Sequence, residues 1–189
     1  VFFLFLSVQS LEKRAHKTPV SLFEEAVTAA NKAVFEESAS HVEYEGMGTT
    51  VVACTLEENT LYITNIGDSR LYLIRDGIEQ ITDDHSLVEE MVKQGNITES
   101  EARIHPQKNI ITRALGINEE VQADFFEIDV EQGDVIMLCS DGLSNMIEDE
   151  DMEYIVKNSD TLQTAAESLV ARANENGGND NITVVLAEV

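Results

Sequence analysis

Three aspartates stand where apolar runs stop and glycine begins. Asp141 follows Val135-Ile136-Met137-Leu138-Cys139-Ser140 and precedes Gly142. Asp180 sits in Gly177-Gly178-Asn179-Asp180-Asn181, just ahead of the run Ile182–Leu186, and Asp68 follows Gly67 between the runs Thr60–Ile66 and Leu71–Ile74. If the runs at 135–140 and 182–186 are antiparallel neighbours, the end of one and the start of the other share a sheet edge, which brings Asp141 and Asp180 together. Carboxylates gathered without basic partners repel one another, so such a group is stable chiefly with a cation in it. Oxygen donors with no His or Cys at metal-ligand spacing select Mg²⁺, Mn²⁺ or Ca²⁺ over Zn²⁺. The pattern is not an EF-hand, because no D-x-[DN]-x-[DN]-G loop is present. Glycine beside Asp68 and Asp141, and two residues ahead of Asp180, lets the backbone approach an ion closely and adopt positive φ. The competing reading for Asp68 and Asp180 is an Asx turn, and spacing alone leaves both open.

Positioning these residues requires a sheet with helices packed on it. Ser21 to about Glu37 reads as a helix, with Ser21 and Glu24 as a capping box and Leu22, Phe23, Ala26, Val27, Ala30, Ala33 and Val34 at helical spacing. Four β-rich runs, Thr49–Thr55, Thr60–Ile66, Leu71–Ile74 and Ile78–Ile81, predict an antiparallel meander with a hairpin turn at Asp76-Gly77. Residues 84–116 read as an insertion between sheets, carrying a short helix over Leu87–Lys93 closed by Gly95 and a capping box at Thr98 and Glu101. Strands are expected again at Val121–Ile128, Val135–Cys139 and Ile182–Ala187, and helices near Asp149–Lys157 and Thr161–Asn174. Strands in succession with helices in blocks favour an α+β class over a parallel βαβ architecture.

The composition of the 189 residues sets outer limits. With 43% hydrophobic and 25% charged residues and only two prolines, the chain can build one packed domain and is neither disordered nor fibrous. Lys and Arg number 12 against 36 Asp and Glu, a net charge of −24, which excludes the basic footprint of nucleic-acid binding. The acid is concentrated after Ala114, where two basic residues face eighteen acidic ones. Most of it is ordinary solvated surface. Cys54 and Cys139 each lie inside an apolar run, so a reduced, buried pair in a cytoplasmic protein is expected rather than a disulfide or metal site. The opening run Val1–Leu6 is too short to span a bilayer and has no basic segment before it, so a buried strand or helix end is expected there. A first residue that is not Met leads to the expectation of a longer parent protein.

Read as a series, the motifs say more. Gly46-Met47-Gly48-Thr49-Thr50, Asn65-Ile66-Gly67-Asp68-Ser69-Arg70, Asp84-His85-Ser86-Leu87-Val88, Ile111-Thr112-Arg113-Ala114-Leu115-Gly116, Leu138-Cys139-Ser140-Asp141-Gly142-Leu143 and Gly178-Asn179-Asp180-Asn181-Ile182-Thr183 follow one another in order. In order and approximate spacing, this series resembles the metal-dependent protein phosphatases of type 2C, in particular the bacterial single-domain members that reverse serine/threonine kinases. The resemblance covers roughly Glu45 to the C-terminus. It implies a sandwich of two antiparallel β-sheets flanked by helices, with metals in a channel at one sheet edge. It also implies hydrolysis of phosphoserine and phosphothreonine in proteins by a water activated by Mn²⁺ or Mg²⁺, with two or three ions in the complete enzyme.

By that resemblance Asp141 and Asp180 match aspartates on one metal, and Asp68 matches the aspartate of a third, weaker one. Gly46, Gly48, Thr49 and Thr50 match an architectural strand start, Gly67, Gly142 and Asn181 flank the metal residues, and residues 84 to about 116 match a mobile flap that shapes access. The family pattern begins with a phosphate-holding arginine and an Asp-Gly-x-Gly-Gly loop whose aspartate bridges both metals. Neither is found ahead of Ser21, which leads to the expectation of an incomplete domain spanning 1–189 with impaired activity of its own. Arg70 and Arg113 belong to other motifs, and His85 and His105 read as surface or packing residues rather than general acids. The implied partners are phosphorylated proteins, including a cognate serine/threonine kinase. The alternative is a non-catalytic phosphatase-like module that binds phosphoproteins or regulators.

Overall fold

Pro19 decides where the first helix begins. In the computed structural model, which describes residues 17–189, α1 runs Pro19–Ser40 with proline in its first turn and Thr18 as the N-cap. Proline has no N–H to lose there and its fixed φ is already helical. The cap therefore lies three residues ahead of the expected Ser21: the Ser21 amide donates to Thr18 Oγ1 at 3.3 Å, and the Ser21 hydroxyl donates to the Thr18 carbonyl at 2.8 Å. The buried face of α1 is Phe23, Val27 and Asn31, one residue per turn. The run Val1–Leu6 lies outside the described residues.

The chain divides into two compact units. The first runs through Gly67 and resumes over Asp84–Asp129. Its sheet holds β1 (Val51–Glu57), β2 (Thr60–Ile66) and β5 (Asp124–Asp129) in the order β1-β2-β5, all antiparallel. β1 and β2 form a hairpin around Glu58-Asn59, with Glu58 at φ 53°. Val27 of α1 packs with Ile66 and Leu115. The segment ahead of β5 carries α2 (Leu87–Lys93), capped by Ser86, and α3 (Glu99–Arg103), opened by the expected Thr98–Glu101 capping box. The two ends of that segment meet. Ser86 bridges Ile111, the Leu87 amide donates to the Ile110 carbonyl, and the Thr112 amide donates to the His85 carbonyl.

The second unit holds Asp68–Asp83 and Val130–Val189. Its sheet has the order β4-β3-β6-β7, with β3 at Arg70–Ile74, β4 at Ile78–Gln80, β6 at Val135–Cys139 and β7 at Val184–Glu188, every pair antiparallel. The expected four-strand meander is therefore broken between β2 and β3, which belong to different sheets. Gly67 is the break. It sits at φ 107°, and a Cβ there would lie 2.3 Å from Thr50 Cγ2, so only glycine can redirect the chain at that point. The Asp76-Gly77 hairpin forms as expected.

Helices α4 (Asp141–Ser144), α5 (Asp149–Lys157) and α6 (Leu162–Glu175) complete the second unit. α5 buries Met152 and Val156, and α6 buries Ala165, Leu169 and Ala173, each set at a spacing of four. These join Tyr72, Met137, Cys139 and Leu143 in one core. Each fully buried Leu or Met there contributes about 1.5–3 kcal/mol relative to exposure. Both cysteines are free, but only Cys139 is buried; Cys54 is half-buried, and desolvation pushes its thiol pKa up to about 11. No helix among the described residues is long and apolar enough to cross a membrane.

Candidate metal centre

Sheet register brings Asp141 and Asp180 to one edge. β6 and β7 are antiparallel neighbours, with Cys139 opposite Val184, so the residues after β6 run beside those before β7. Ser140 continues the pairing: its amide donates to the Thr183 carbonyl at 3.0 Å, its hydroxyl donates to the Asn181 carbonyl at 3.1 Å, and the Thr183 amide donates back to its hydroxyl at 3.0 Å. Ser140 is fully buried and capped on all sides by this exchange. The sequence motif contains it, but no spacing rule marks it as the fastener.

Gly142 completes the contact. A Cβ at Gly142 would lie 2.4 Å from the Asn181 carbonyl oxygen and 3.5 Å from the Asp180 carbonyl carbon. Its φ is not in the left-handed region, so close approach, and not the expected positive φ, is what requires glycine. Asp141 opens α4, and its Oδ2 lies 3.5 Å from the Asn145 side-chain amide. Asp180 Oδ1 accepts from the amide of the adjacent Asn181 at 2.7 Å, one residue on and not the two of an Asx turn.

Asp68 belongs to the same edge. Arg70 pairs with Cys139, so Asp68 lies two residues before β3 while Asp141 lies two residues after that pairing. Among the described residues, however, no three His, Cys, Asp or Glu side chains gather closely enough to hold a metal ion. The expected convergence thus reduces to one joined pair of acidic segments with Asp68 at the same sheet end. The donor set still fits a hard divalent cation: carboxylate oxygens on two backbones pressed together by a glycine. Arg70, next along β3, is directed elsewhere; its Nη1 donates to the Tyr72 hydroxyl at 2.9 Å, which faces Asp149. Burial pushes the Tyr72 phenol pKa far up.

The remaining motif residues lie in the first unit. Gly48 and Thr49 pack on the segment at 115–117: Thr49 exchanges both backbone hydrogen bonds with Leu115, and a Cβ at Gly48 would lie 2.7 Å from Ile117 Cδ1. Gly46 has open space around its Cα and takes φ 77°. His105 accepts from the Gln107 amide at 3.2 Å. Of the surface and packing alternatives for His85, the structure has the second: it is buried. Asn31 escaped the sequence reading altogether, although it is 2% exposed and fully hydrogen-bonded. Its Oδ1 accepts from the Gly116 amide at 2.8 Å, and its Nδ2 donates to the carbonyls of Asn118 and Glu119 at 3.0 Å each.

Comparison with known proteins agrees with the motif series. Residues 4–187 match the family model described as protein phosphatase 2C. The chain is 42% identical over 166 residues to the serine/threonine phosphatase stp of Listeria monocytogenes, an alignment that covers 87% of this chain and 66% of that protein. The chain thus spans just under two-thirds of the length of that curated relative. Among solved structures, the serine/threonine phosphatase Stp1 from Staphylococcus aureus superposes with a TM-score of 0.90 at 33% identity, covering 96% of this chain and 73% of that one. The catalytic domain of the serine/threonine protein phosphatase PstP, solved with two manganese ions, superposes with a TM-score of 0.84 at 35% identity, covering 94% and 74%.

Proposed function

Because the chain belongs to the protein phosphatase 2C family, we propose that the protein containing it hydrolyses phosphoserine and phosphothreonine in proteins, with Asp141 and Asp180 as ligands of a divalent cation. The observation that carries this reading is the close apposition of Asp141-Gly142 and Asp180-Asn181 through the missing side chain of Gly142. Mn²⁺ is the preferred ion on the precedent of the manganese-bound relative, with Mg²⁺ equally suited to the donor type. When bound, such a cation lowers the pKa of a water and offsets negative charge on the phosphoryl oxygens.

The chain's own residues supply the rest of the site chemistry. Asp141 and Asp180 offer hard oxygen donors, and Ser140 and Gly142 hold their backbones in register. Asp68 supplies a further carboxylate at the same end of the sheet, the place expected for a weaker third ion. In a protein of net charge −24 these carboxylates repel a phosphate monoester until a cation covers them, so phosphatase activity here requires one. Phosphoproteins are the substrates on this reading, and a serine/threonine kinase is the class of partner that supplies them. The free thiols of Cys54 and Cys139 support a reducing, cytoplasmic location.

Turnover of a phosphothreonine peptide by the full-length protein tests the proposal. Hydrolysis should depend on added Mn²⁺ and stop on chelation. Hydrolysis that persists undiminished in chelator, or no hydrolysis at any Mn²⁺ concentration, would overturn it.

A further inference from the structure

Gly67, whose positive φ ends the first sheet, is the residue covalently ahead of Asp68, and all its backbone polar groups are engaged. Its amide donates to His85 Nδ1 at 2.9 Å, and its carbonyl accepts from the His85 amide at 2.9 Å and from the Asn65 side-chain amide at 3.3 Å. One histidine thus grips one glycine twice, once through its ring and once through its backbone. Because a backbone amide can only donate, Nδ1 must be the bare ring nitrogen, and Nε2 carries the hydrogen.

The Nε2 side of the ring is fixed as firmly. Nε2 lies 3.0 Å from Asp124 Oδ2 at the start of β5, and Arg113 Nη1 donates to Asp124 Oδ1 at 2.6 Å. Arg113 Nη1 also lies 3.0 Å from Nε2, but both are donors, so they share the Asp124 carboxylate rather than bond to each other. Burial pushes the Asp124 pKa up, and the hydrogen bonds and charges of His85 and Arg113 outweigh it, holding the carboxyl below its ordinary range. His85 is 6% exposed, and its carbonyl accepts from the Thr112 amide at 2.8 Å. The turn before Asp68, the far end of the 84–116 segment and the first residue of β5 all meet this one residue, the Gly67 amide and Asp124 at its ring and Thr112 at its backbone.

We infer that His85 is a positioning residue, not a proton donor to substrate: its Nδ1 holds the Gly67 turn that sets the backbone entering Asp68, while Asp124 and Arg113 lock the ring in the tautomer that can do so. The effect on turnover rests on the metal-dependent reading above; the effect on the Gly67 amide does not. A conservative pair of variants separates the two ends of the ring. In His85→Asn the carboxamide oxygen takes the place of Nδ1 as acceptor for Gly67, whereas His85→Gln reaches toward Asp124 and leaves the Gly67 amide without its acceptor.

The test is amide hydrogen exchange at Gly67, together with Mn²⁺-dependent hydrolysis of a phosphothreonine peptide, in the full-length protein and the two variants. In His85→Gln the Gly67 amide should exchange roughly tenfold faster, the scale of one lost buried hydrogen bond, while amides of β2 such as Ile63 stay protected and report that the sheet is folded. The Mn²⁺ concentration for half-maximal activity should rise by a similar factor, with the rate recovered at saturating Mn²⁺. His85→Asn should return both toward wild type. Equal Gly67 exchange in wild type and His85→Gln, or a rate loss in His85→Gln that saturating Mn²⁺ does not recover, would overturn the assignment. Should the wild-type protein lack phosphatase activity, the functional reading fails and the exchange measurement alone decides the role of His85.

Discussion

Gly142 is the residue on which the candidate site depends most. Any side chain there must displace the carbonyl of Asn181, which lies only 2.4 Å from the position a Cβ would take, and that carbonyl also accepts from Ser140. Backbone does not yield as a flexible side chain does, so Gly142→Ala should cost about 1–3 kcal/mol in urea unfolding, the usual scale of overpacking. It should also weaken Mn²⁺-dependent turnover, because the strain falls on the segment bearing Asp180. Gly77→Ala is the control: it has open space and no positive φ, and its unfolding midpoint should stay within experimental error of wild type. The adjacency of Asp141 and Asp180 was readable from sequence, since two apolar runs ending in acidic glycine-rich motifs have few other ways to share an edge. The reason for Gly142 was not, because a close approach between segments some forty residues apart leaves no local mark.

At the scale of elements, strand existence followed from β-branched runs and turn residues, and pairing did not. β2 and β3 are separated by three residues, yet they join different sheets, because Gly67 turns the chain and the His85 backbone claims its carbonyl. Helix starts moved for a similar reason: Thr18 and Pro19 outcompete the Ser21–Glu24 capping box. Asn31 was invisible because its three partners lie more than eighty positions along the chain. Asn31→Ala should cost about 1–3 kcal/mol by leaving the Gly116 amide and two carbonyls short of a partner, and hydrogen exchange should show the loosening confined to α1 and residues 116–119.

Asp134 does comparable work in the second sheet. It takes a two-point hydrogen bond from Arg75 at 2.7 and 2.6 Å, accepts from the Glu131 amide, and its carbonyl accepts from the Val189 amide. Hydrogen bonding from Arg75, against the opposing effect of burial, holds its carboxyl pKa below the ordinary 3.8. A carboxyl depressed in the folded state contributes stability that is fully present above its unfolded pKa and is lost as pH falls through the folded value. Stability should therefore decline below about pH 4 through Asp134 and Asp124 together. In Asp134→Asn the decline should be shallower and the stability at pH 7 lower; equal slopes for wild type and variant would show that the pair is not linked to folding.

For the whole molecule, a net charge of −24 fixes what the surface cannot attract, and family membership over residues 4–187 fixes the chemistry to look for. Of the 36 acidic residues, Asp68, Asp141 and Asp180 carry the functional proposal. The central claim is that Asp141 and Asp180 share one divalent cation. Calorimetric titration of the full-length protein with Mn²⁺, beside Asp141→Asn and Asp180→Asn, tests it most directly. Each substitution should remove the same binding event and lower metal-dependent turnover by about 100-fold or more, the scale of losing several kcal/mol of charge stabilisation. Two variants that keep wild-type stoichiometry and affinity for Mn²⁺ would contradict it.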